Sequence, residues 1–236
     1  MMKRPFRIFY DGLNIEKYAA HPKVEGFTTN CSIFGKSPIK SYEAFWAAHA
    51  ELVGSRPFSL QVWHDHPDEV IEQIKQIHKV NPNIFVKVPI LNSLGEYNET
   101  PIRYAVKNKI PLNITAIHSM EQITKAAEFL EGSEAKEIIS IFGGPISDLL
   151  LDPGEHVRYA VELFKAKPNS EILWAGCREL YTIRRAEEYG CHCITIPDAM
   201  MERLALLDKS LLDLTLDRVR LFKNDADNGN FTIRNA

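Results

Sequence analysis

Short apolar or β-branched runs alternate along this chain with longer amphipathic stretches. The clearest amphipathic stretch is Pro67–Val80, where apolar side chains recur on one helix face and a proline occupies the first turn. Alternation of this kind is typical of repeated βα units, whose strands form a parallel sheet covered by helices. It predicts eight strands, at residues 7–11, 26–30, 57–63, 84–90, 112–117, 137–143, 171–177 and 191–197.

The predicted helices lie between these strands. An additional apolar helix follows the last βα unit, and a polar, loose tail ends the chain. The helices are predicted at residues 42–52, 67–80, 100–108, 121–130, 155–165, 179–189 and 199–207, the additional helix at 211–223 and the tail at 224–236.

Eight βα units predict an α/β fold with a closed (β/α)8 TIM barrel. The 236 residues are close to the roughly 250 that one such barrel needs. A doubly wound sheet is the alternative, but no Gly-x-Gly-x-x-Gly turn follows the first strand to support it. We therefore expect a single barrel domain with its C-terminal helix at residues 1–223, followed by the tail.

Charge and composition exclude several functional classes. The formal net charge is -3 and the basic residues are scattered, so nucleic acid is not an expected partner. The longest apolar runs fall short of the roughly 18 residues of a membrane helix, and the first ten residues lack the apolar run of a signal peptide. Four irregularly spaced cysteines predict neither a disulfide framework nor a zinc site, and indicate a reducing cytoplasm.

Polar side chains interrupt the predicted strands near their carboxyl ends, where TIM barrels carry their active sites. Lys87 is the most conspicuous of these side chains, because it is the one charged residue in the apolar segment IFVKVPI. Strand alternation places it on the barrel interior, where low dielectric lowers an amine pKa and yields a nucleophile for carbonyl groups. The alternative is a lysine that reaches solvent from the sheet edge. The accompanying residues favour the first interpretation; they are Asp11, Asn30, Gln61, Asn113, Thr115, Ser140 and Arg178.

Seven short motifs occur in order along the predicted barrel. They are FYDGLN at 9–14, GFTTN at 26–30, VKVPI at 86–90, NITA at 113–116, SIFGG at 140–144, AGCR at 175–178 and ITIPDAMMERL at 194–204. In this order they resemble the motifs of small transaldolases and the related fructose-6-phosphate aldolases. The resemblance covers most of the barrel. It implies Schiff-base chemistry on a sugar phosphate, without a metal ion or a cofactor. It also implies a homo-oligomer in which the C-terminal helix lies across subunits, while packing of that helix against its own barrel explains its apolar pattern equally well.

The resemblance also assigns roles to individual residues. It implies that Lys87 is the Schiff-base lysine, with Asp11, Thr115 and Gln61 as the other catalytic residues. It implies that Arg178 binds the substrate phosphate. The remaining substrate-binding residues that it implies are Thr29, Asn30, Asn113, Ser140 and Phe142.

Two positions depart from the family pattern, and two others distinguish its branches. Pro145 stands where the family usually has a second phosphate-binding arginine, and Gly176 replaces a serine near Arg178. Gln61 is the residue of the aldolases at its position, whereas Phe142 is the residue of the transaldolases. These two positions disagree, so the sequence leaves the choice between transaldolase and aldolase open.

Two other functional classes are alternatives to Schiff-base transfer. A metal-free isomerase or epimerase needs paired carboxylates or cysteines around one carbon, and only Asp11 is available at the strand ends. A non-catalytic barrel that binds a sugar phosphate is the other alternative, suggested by the substituted motifs. Covalent trapping of Lys87 separates this alternative from an enzyme.

Overall fold

The computed structural model of the chain describes residues 5–229 and 232–233. Within these residues eight parallel strands follow one another in chain order and close into a barrel, with β8 next to β1. This closed barrel confirms the predicted (β/α)8 fold. The strands are β1 (Arg7–Asp11), β2 (Val24–Thr28), β3 (Phe58–Gln61), β4 (Phe85–Pro89), β5 (Leu112–Ile117), β6 (Glu137–Ile141), β7 (Ser170–Trp174) and β8 (Cys193–Pro197).

The helices alternate with the strands. Three of them, α1, α2 and α7, were not predicted, because runs of four to six residues are too short to show a helical period. The helices are α1 (Ile15–Tyr18), α2 (Cys31–Gly35), α3 (Tyr42–Val53), α4 (Pro67–Val80), α5 (Glu99–Lys107), α6 (Met120–Phe129), α7 (Gly143–Asp148), α8 (Pro153–Leu163), α9 (Tyr181–Tyr189), α10 (Asp198–Arg203) and α11 (Leu211–Gly229), with a 3-10 turn at Leu204–Asp208.

The helices after β8 differ from the prediction in their bounds. The helix expected at 199–207 is divided into α10 and the 3-10 turn. Helix α11 continues to Gly229, beyond the expected end at residue 223, and Lys223 pairs with Asp227 one turn later at 2.7 Å. Residues 224–229 are therefore helical instead of loose. Residues 230, 231 and 234–236 of the expected tail lie outside the described residues, and the division into domains stays a prediction.

An apolar cluster fills the barrel interior toward its amino-terminal end. Phe9 and Phe85 are its aromatic members, and Ile138, Leu173, Ala175 and Cys193 complete it. Arg7 pairs with Glu171 and lies over the Phe9 ring, 5.1 Å from its centroid. Because this cluster occupies the interior below Lys87, the polar side chains of the strands gather at the carboxyl-terminal end. No helix among the described residues is both long and apolar enough to cross a bilayer.

Gly26 is required by the packing of this cluster. A methyl group added at Gly26 would lie 2.6 Å from the ring of Phe9, which is fully buried. We predict that Gly26→Ala lowers the free energy of unfolding by about 1 to 3 kcal/mol, because the overpacked ring has no free space to enter. Urea unfolding followed by circular dichroism measures this loss.

Gly35→Ala is the matched control, since no atom lies within 4 Å of its added methyl group. Adding Phe9→Leu to the Gly26→Ala variant should restore part of the lost stability. Equal stability of the Gly26→Ala and Gly35→Ala variants would contradict the packing argument.

Candidate active site

Lys87 lies in the middle of β4 with its amine inside the barrel. The residue is 5% exposed, and its Nζ donates a hydrogen bond to the carbonyl oxygen of Thr29 at 3.1 Å. In the parallel register Gln61 of β3 and Asn113 of β5 are its direct neighbours, so these side chains leave the sheet on the same face. The lysine does not reach solvent at the sheet edge.

The Asp11 carboxylate at the end of β1 acts electrostatically on the Lys87 amine. Thr28 donates its hydroxyl hydrogen to Oδ1 of Asp11 at 2.8 Å, and the Thr28 and Thr195 hydroxyl oxygens are 2.5 Å apart. These two threonines face the interior from β2 and β8, on either side of β1. They fix the orientation of the Asp11 carboxyl group.

Burial shifts the pKa values of Lys87 and Asp11 toward their neutral forms. Burial lowers the pKa of the Lys87 amine, against the opposing attraction of Asp11 and Cys31. Burial likewise raises the pKa of the Asp11 carboxyl, against the charge of Lys87 and the hydrogen bond from Thr28. Both shifts favour the uncharged forms, in which an amine is a nucleophile and a carboxyl group is a proton donor.

A chain of hydrogen bonds crosses the interior beside Lys87. Ser140 donates its hydroxyl hydrogen to the side-chain oxygen of Asn113 at 2.7 Å, and the Asn113 amide donates to the Ser59 hydroxyl at 3.1 Å. All three residues are buried. The chain fixes the orientation of the Asn113 amide at the level of the lysine.

Thr115 carries a polar group that the protein leaves unpaired. Its hydroxyl oxygen is buried and has no hydrogen-bond partner among the residues that the structure describes. The register between β5 and β6 shifts between Ile114 and Ile117, and Ala116 adopts a φ of 58°, which is unfavourable for a residue with a Cβ. An unpaired buried hydroxyl beside a strained bulge is typical of a site that binds a ligand.

Two residues expected to bind substrate, Thr29 and Asn30, also have structural partners. Asn30 lies beyond the end of β2, where its side-chain oxygen accepts the N–H of Ile33 and caps α2. The hydroxyl of Thr29 donates to the carbonyl oxygen of Ser59 at 2.8 Å. The expected strand at 26–30 ends at Thr28, because the chain turns there into α2. Thr29 therefore contacts Lys87 through its backbone.

The loops after β6 and β7 hold the other two expected residues. Phe142 is half-buried against the apolar cluster, and its ring lies 5.1 Å from that of His118. Arg178 is exposed, and its guanidinium donates to the carboxylate of Asp148 at 2.7 Å. The arginine that is expected to bind the substrate phosphate is thus paired with a carboxylate of its own chain.

Sequence reasoning missed three interior residues, Thr28, Ser59 and Thr195. Each lies two positions from a residue that faces the interior, namely Gly26, Gln61 and Cys193. Strict alternation along β2, β3 and β8 would have found them. Asp148 had no such signal, because it is 30 positions from Arg178 in the chain.

No group of three or more His, Cys, Asp or Glu side chains in the described part of the chain is arranged to hold a metal ion. The polar groups around Lys87 are hydroxyls, amides, one carboxyl group and the Cys31 thiol. Such groups orient a polyhydroxylated molecule by hydrogen bonds and exchange protons with it.

Solved structures share this fold. Orotidine 5'-phosphate decarboxylase from Pyrococcus horikoshii aligns with a TM-score of 0.54 at 14% identity, over 82% of this chain and 89% of that chain. A phosphonomutase homologue from Burkholderia cenocepacia aligns with a TM-score of 0.53 at 15% identity, over 88% and 96% of the two chains. At such identities the likeness shows the barrel fold alone.

Sequence comparison shows the family. A protein from Phocaeicola vulgatus described as "Probable transaldolase" is 26% identical over 90% of this chain and 95% of its own. One from Methanococcus vannielii with the same description is 24% identical over 90% and 94%. The family model described as transaldolase/fructose-6-phosphate aldolase matches residues 8–231. The chain therefore belongs to the transaldolase/fructose-6-phosphate aldolase family and is an enzyme of the transaldolase or aldolase type.

Proposed function

We propose that the protein transfers a dihydroxyacetone unit between sugar phosphates through a Schiff base on Lys87. The observation that carries this proposal is the buried Lys87 amine, with its lowered pKa, beside the Asp11 carboxyl group. Such an amine is uncharged over a wider pH range than an exposed one, which a nucleophile for a ketone requires.

The first half of the reaction forms the Schiff base. Nζ of Lys87 attacks C2 of the ketose, and a proton moves from nitrogen to the former carbonyl oxygen. The Asp11 carboxyl group then donates its proton to the departing hydroxyl, which leaves as water and gives an iminium ion. The raised pKa of Asp11 suits it to this donation.

The second half breaks the carbon–carbon bond. The Asp11 carboxylate takes the proton of the C4 hydroxyl, and the electrons of the C3–C4 bond neutralise the iminium ion. An aldehyde leaves and a three-carbon enamine remains on Lys87. The enamine adds to an acceptor aldehyde, Asp11 returns the proton, and water hydrolyses the new Schiff base.

The surrounding groups hold the substrate and the water in this scheme. The unpaired Thr115 hydroxyl and Gln61 hold the water that relays protons, and Asn113 and Ser140 bind the dihydroxyacetone hydroxyls. Asn30 assists through its amide nitrogen, since its oxygen caps α2. Thr29 positions Lys87 through its backbone carbonyl, Phe142 lines the site, and Arg178 takes the phosphate.

Aldol cleavage without transfer is the second candidate function. Gln61 favours this function, because the aldolase branch has a glutamine at this position. Gln61 of β3 also pairs with Lys87 of β4 in the register of the sheet. The two functions differ in whether an aldehyde or a proton reaches the enamine first. Transfer to added aldehyde, measured against release of free dihydroxyacetone, separates them.

Borohydride trapping tests the covalent step. With fructose 6-phosphate or dihydroxyacetone and borohydride, the protein should gain one reduced three-carbon adduct on Lys87, detected by intact mass and peptide mapping. Lys87→Met should gain none. Lys75→Met, which removes an exposed lysine of α4, is the matched control and should label fully. A protein that binds the sugar without labelling would be a non-catalytic barrel, and the proposal would be wrong.

The lowered pKa of Lys87 also predicts how stability depends on pH. Between the lowered pKa of Lys87 in the folded protein and the unfolded lysine pKa of ~10.4, the folded protein binds fewer protons than the unfolded chain. The free energy of unfolding of wild type should therefore fall relative to that of Lys87→Met as the pH decreases from ~10.4 toward neutrality. Urea unfolding at a series of pH values measures it, and parallel curves would contradict a lowered pKa.

We further propose that the protein is a homo-oligomer in which α11 is covered by another copy. No side chain of α11 is buried. An exposed apolar helix of this length is unfavourable in water unless another surface covers it. Its exposed apolar residues are Leu211, Leu212, Leu214, Leu216, Val219, Leu221 and Phe222.

The substitution Leu216→Asp combined with Val219→Asp tests this interface, since both residues lie on one face of α11. Light scattering after size exclusion should show an oligomer for wild type and a smaller species for the double variant, because charges do not enter an apolar interface. Asn224→Asp adds a charge on the same helix at a polar position and should leave the mass unchanged. A monomeric wild type, or an unaffected double variant, would refute the interface.

A further inference from the structure

The side chain of Arg178 runs along helix α7. A Cβ added at Gly144, in the first turn of α7, would lie 3.3 Å from Cγ of Arg178. The guanidinium group then reaches Asp148, the last residue of α7, at 2.7 Å. Gly144 and Asp148 are four positions apart and thus share one helix face. The arginine stem crosses this face at the glycine, and its charged end meets the aspartate.

The junction between the loops after β6 and β7 holds this arrangement in place. A Cβ at Gly144 would lie 1.6 Å from the carbonyl oxygen of Gly176, so only glycine permits the contact. Gly176 itself has a φ of 72°, and a Cβ there would lie 2.7 Å from the Pro145 ring. The backbone around Arg178 is therefore packed directly on α7, which keeps the arginine within reach of Asp148.

The ion pair of Arg178 and Asp148 has no net charge of its own, and Pro145 adds none. A sugar phosphate carries between one and two negative charges at neutral pH. It is attracted by the guanidinium group and repelled by the adjacent carboxylate. A neutral hydroxyl meets no such repulsion and still finds N–H donors on the arginine, which has five.

We propose that Asp148 is a specificity-determining residue, which neutralises Arg178 and so weakens the preference of the site for a phosphorylated distal end over an uncharged one. The inference rests on the proposed function only in taking the distal end of the sugar to lie at Arg178. Asp148 touches neither Lys87 nor Asp11, so its effect is on binding and not on the covalent step.

Equilibrium binding tests this role without the Schiff base. Two proteins that both carry Lys87→Met are compared, one with Asp148 and one with Asp148→Asn. Titration calorimetry measures the Kd of each for fructose 6-phosphate and for fructose. The substitution should lower the Kd for fructose 6-phosphate about two- to fivefold, the range of a surface ion pair. The Kd for fructose should not change. The gain should shrink at high ionic strength, because salt screens exposed charges.

Asp152→Asn is the matched control. Asp152 lies 3.7 Å from both Arg158 and Arg185, and asparagine retains its capping bond to the N–H of Gly154. It should leave both Kd values unchanged. Arg178→Ala should abolish the gain produced by Asp148→Asn, because that gain requires the guanidinium group.

The outcomes separate this inference from the proposed function. Failure of the proposed function shows as a wild-type protein without a borohydride adduct, which does not affect the calorimetry. An unchanged or higher Kd for fructose 6-phosphate in Asp148→Asn overturns the specificity role, and so does an equal gain for both sugars. Absence of fructose 6-phosphate binding in both variants overturns it as well, because Arg178 would then bind no phosphate.

Discussion

The burial of the Lys87 amine, on which the Asp11 carboxyl acts electrostatically, is the interaction on which the proposed chemistry of this barrel depends. In water each group would be ionised near neutrality, whereas inside the barrel burial shifts both pKa values toward the neutral forms. The same desolvation thus favours the nucleophile and the proton donor that the proposed reaction requires. The attraction between the ionised forms opposes this shift, and the balance of the two effects sets the protonation state of the pair.

The remainder of the barrel supports this pair. The apolar cluster around Phe9 and Phe85 fills the interior below it, and Gly26 leaves the space that the Phe9 ring occupies. The hydrogen bond from the Thr28 hydroxyl fixes the orientation of the Asp11 carboxyl group. The hydrogen bond to the Ser59 hydroxyl does the same for the Asn113 amide. The Thr115 hydroxyl has no hydrogen-bond partner among the residues that the structure describes. The fold thus pairs the side chains of Asp11 and Asn113 and leaves this hydroxyl for a ligand, as expected of a site organised before its substrate binds.

Sequence patterns predicted the barrel and its central lysine, because both follow from local rules. A charged residue in an apolar strand is conspicuous, and the strand period assigns its face. Asn30 shows where such rules end: an extended residue after Thr28 resembles a strand residue in sequence, but it caps α2. The left-handed backbone at Ala116 has no sequence signal, since it does not occur at a glycine. The Arg178–Asp148 pair depends on two loops that meet only in the closed barrel.

The central claim is that folding lowers the pKa of one lysine, and nuclear magnetic resonance measures it directly. In protein labelled at the lysine side chains, the signal that disappears in Lys87→Met identifies Lys87. This signal should titrate at a lower pH than those of the exposed lysines, and Asp11→Asn should move its midpoint lower still, because the carboxylate that favours the charged amine is removed. A Lys87 signal that titrates together with the exposed lysines would contradict the account.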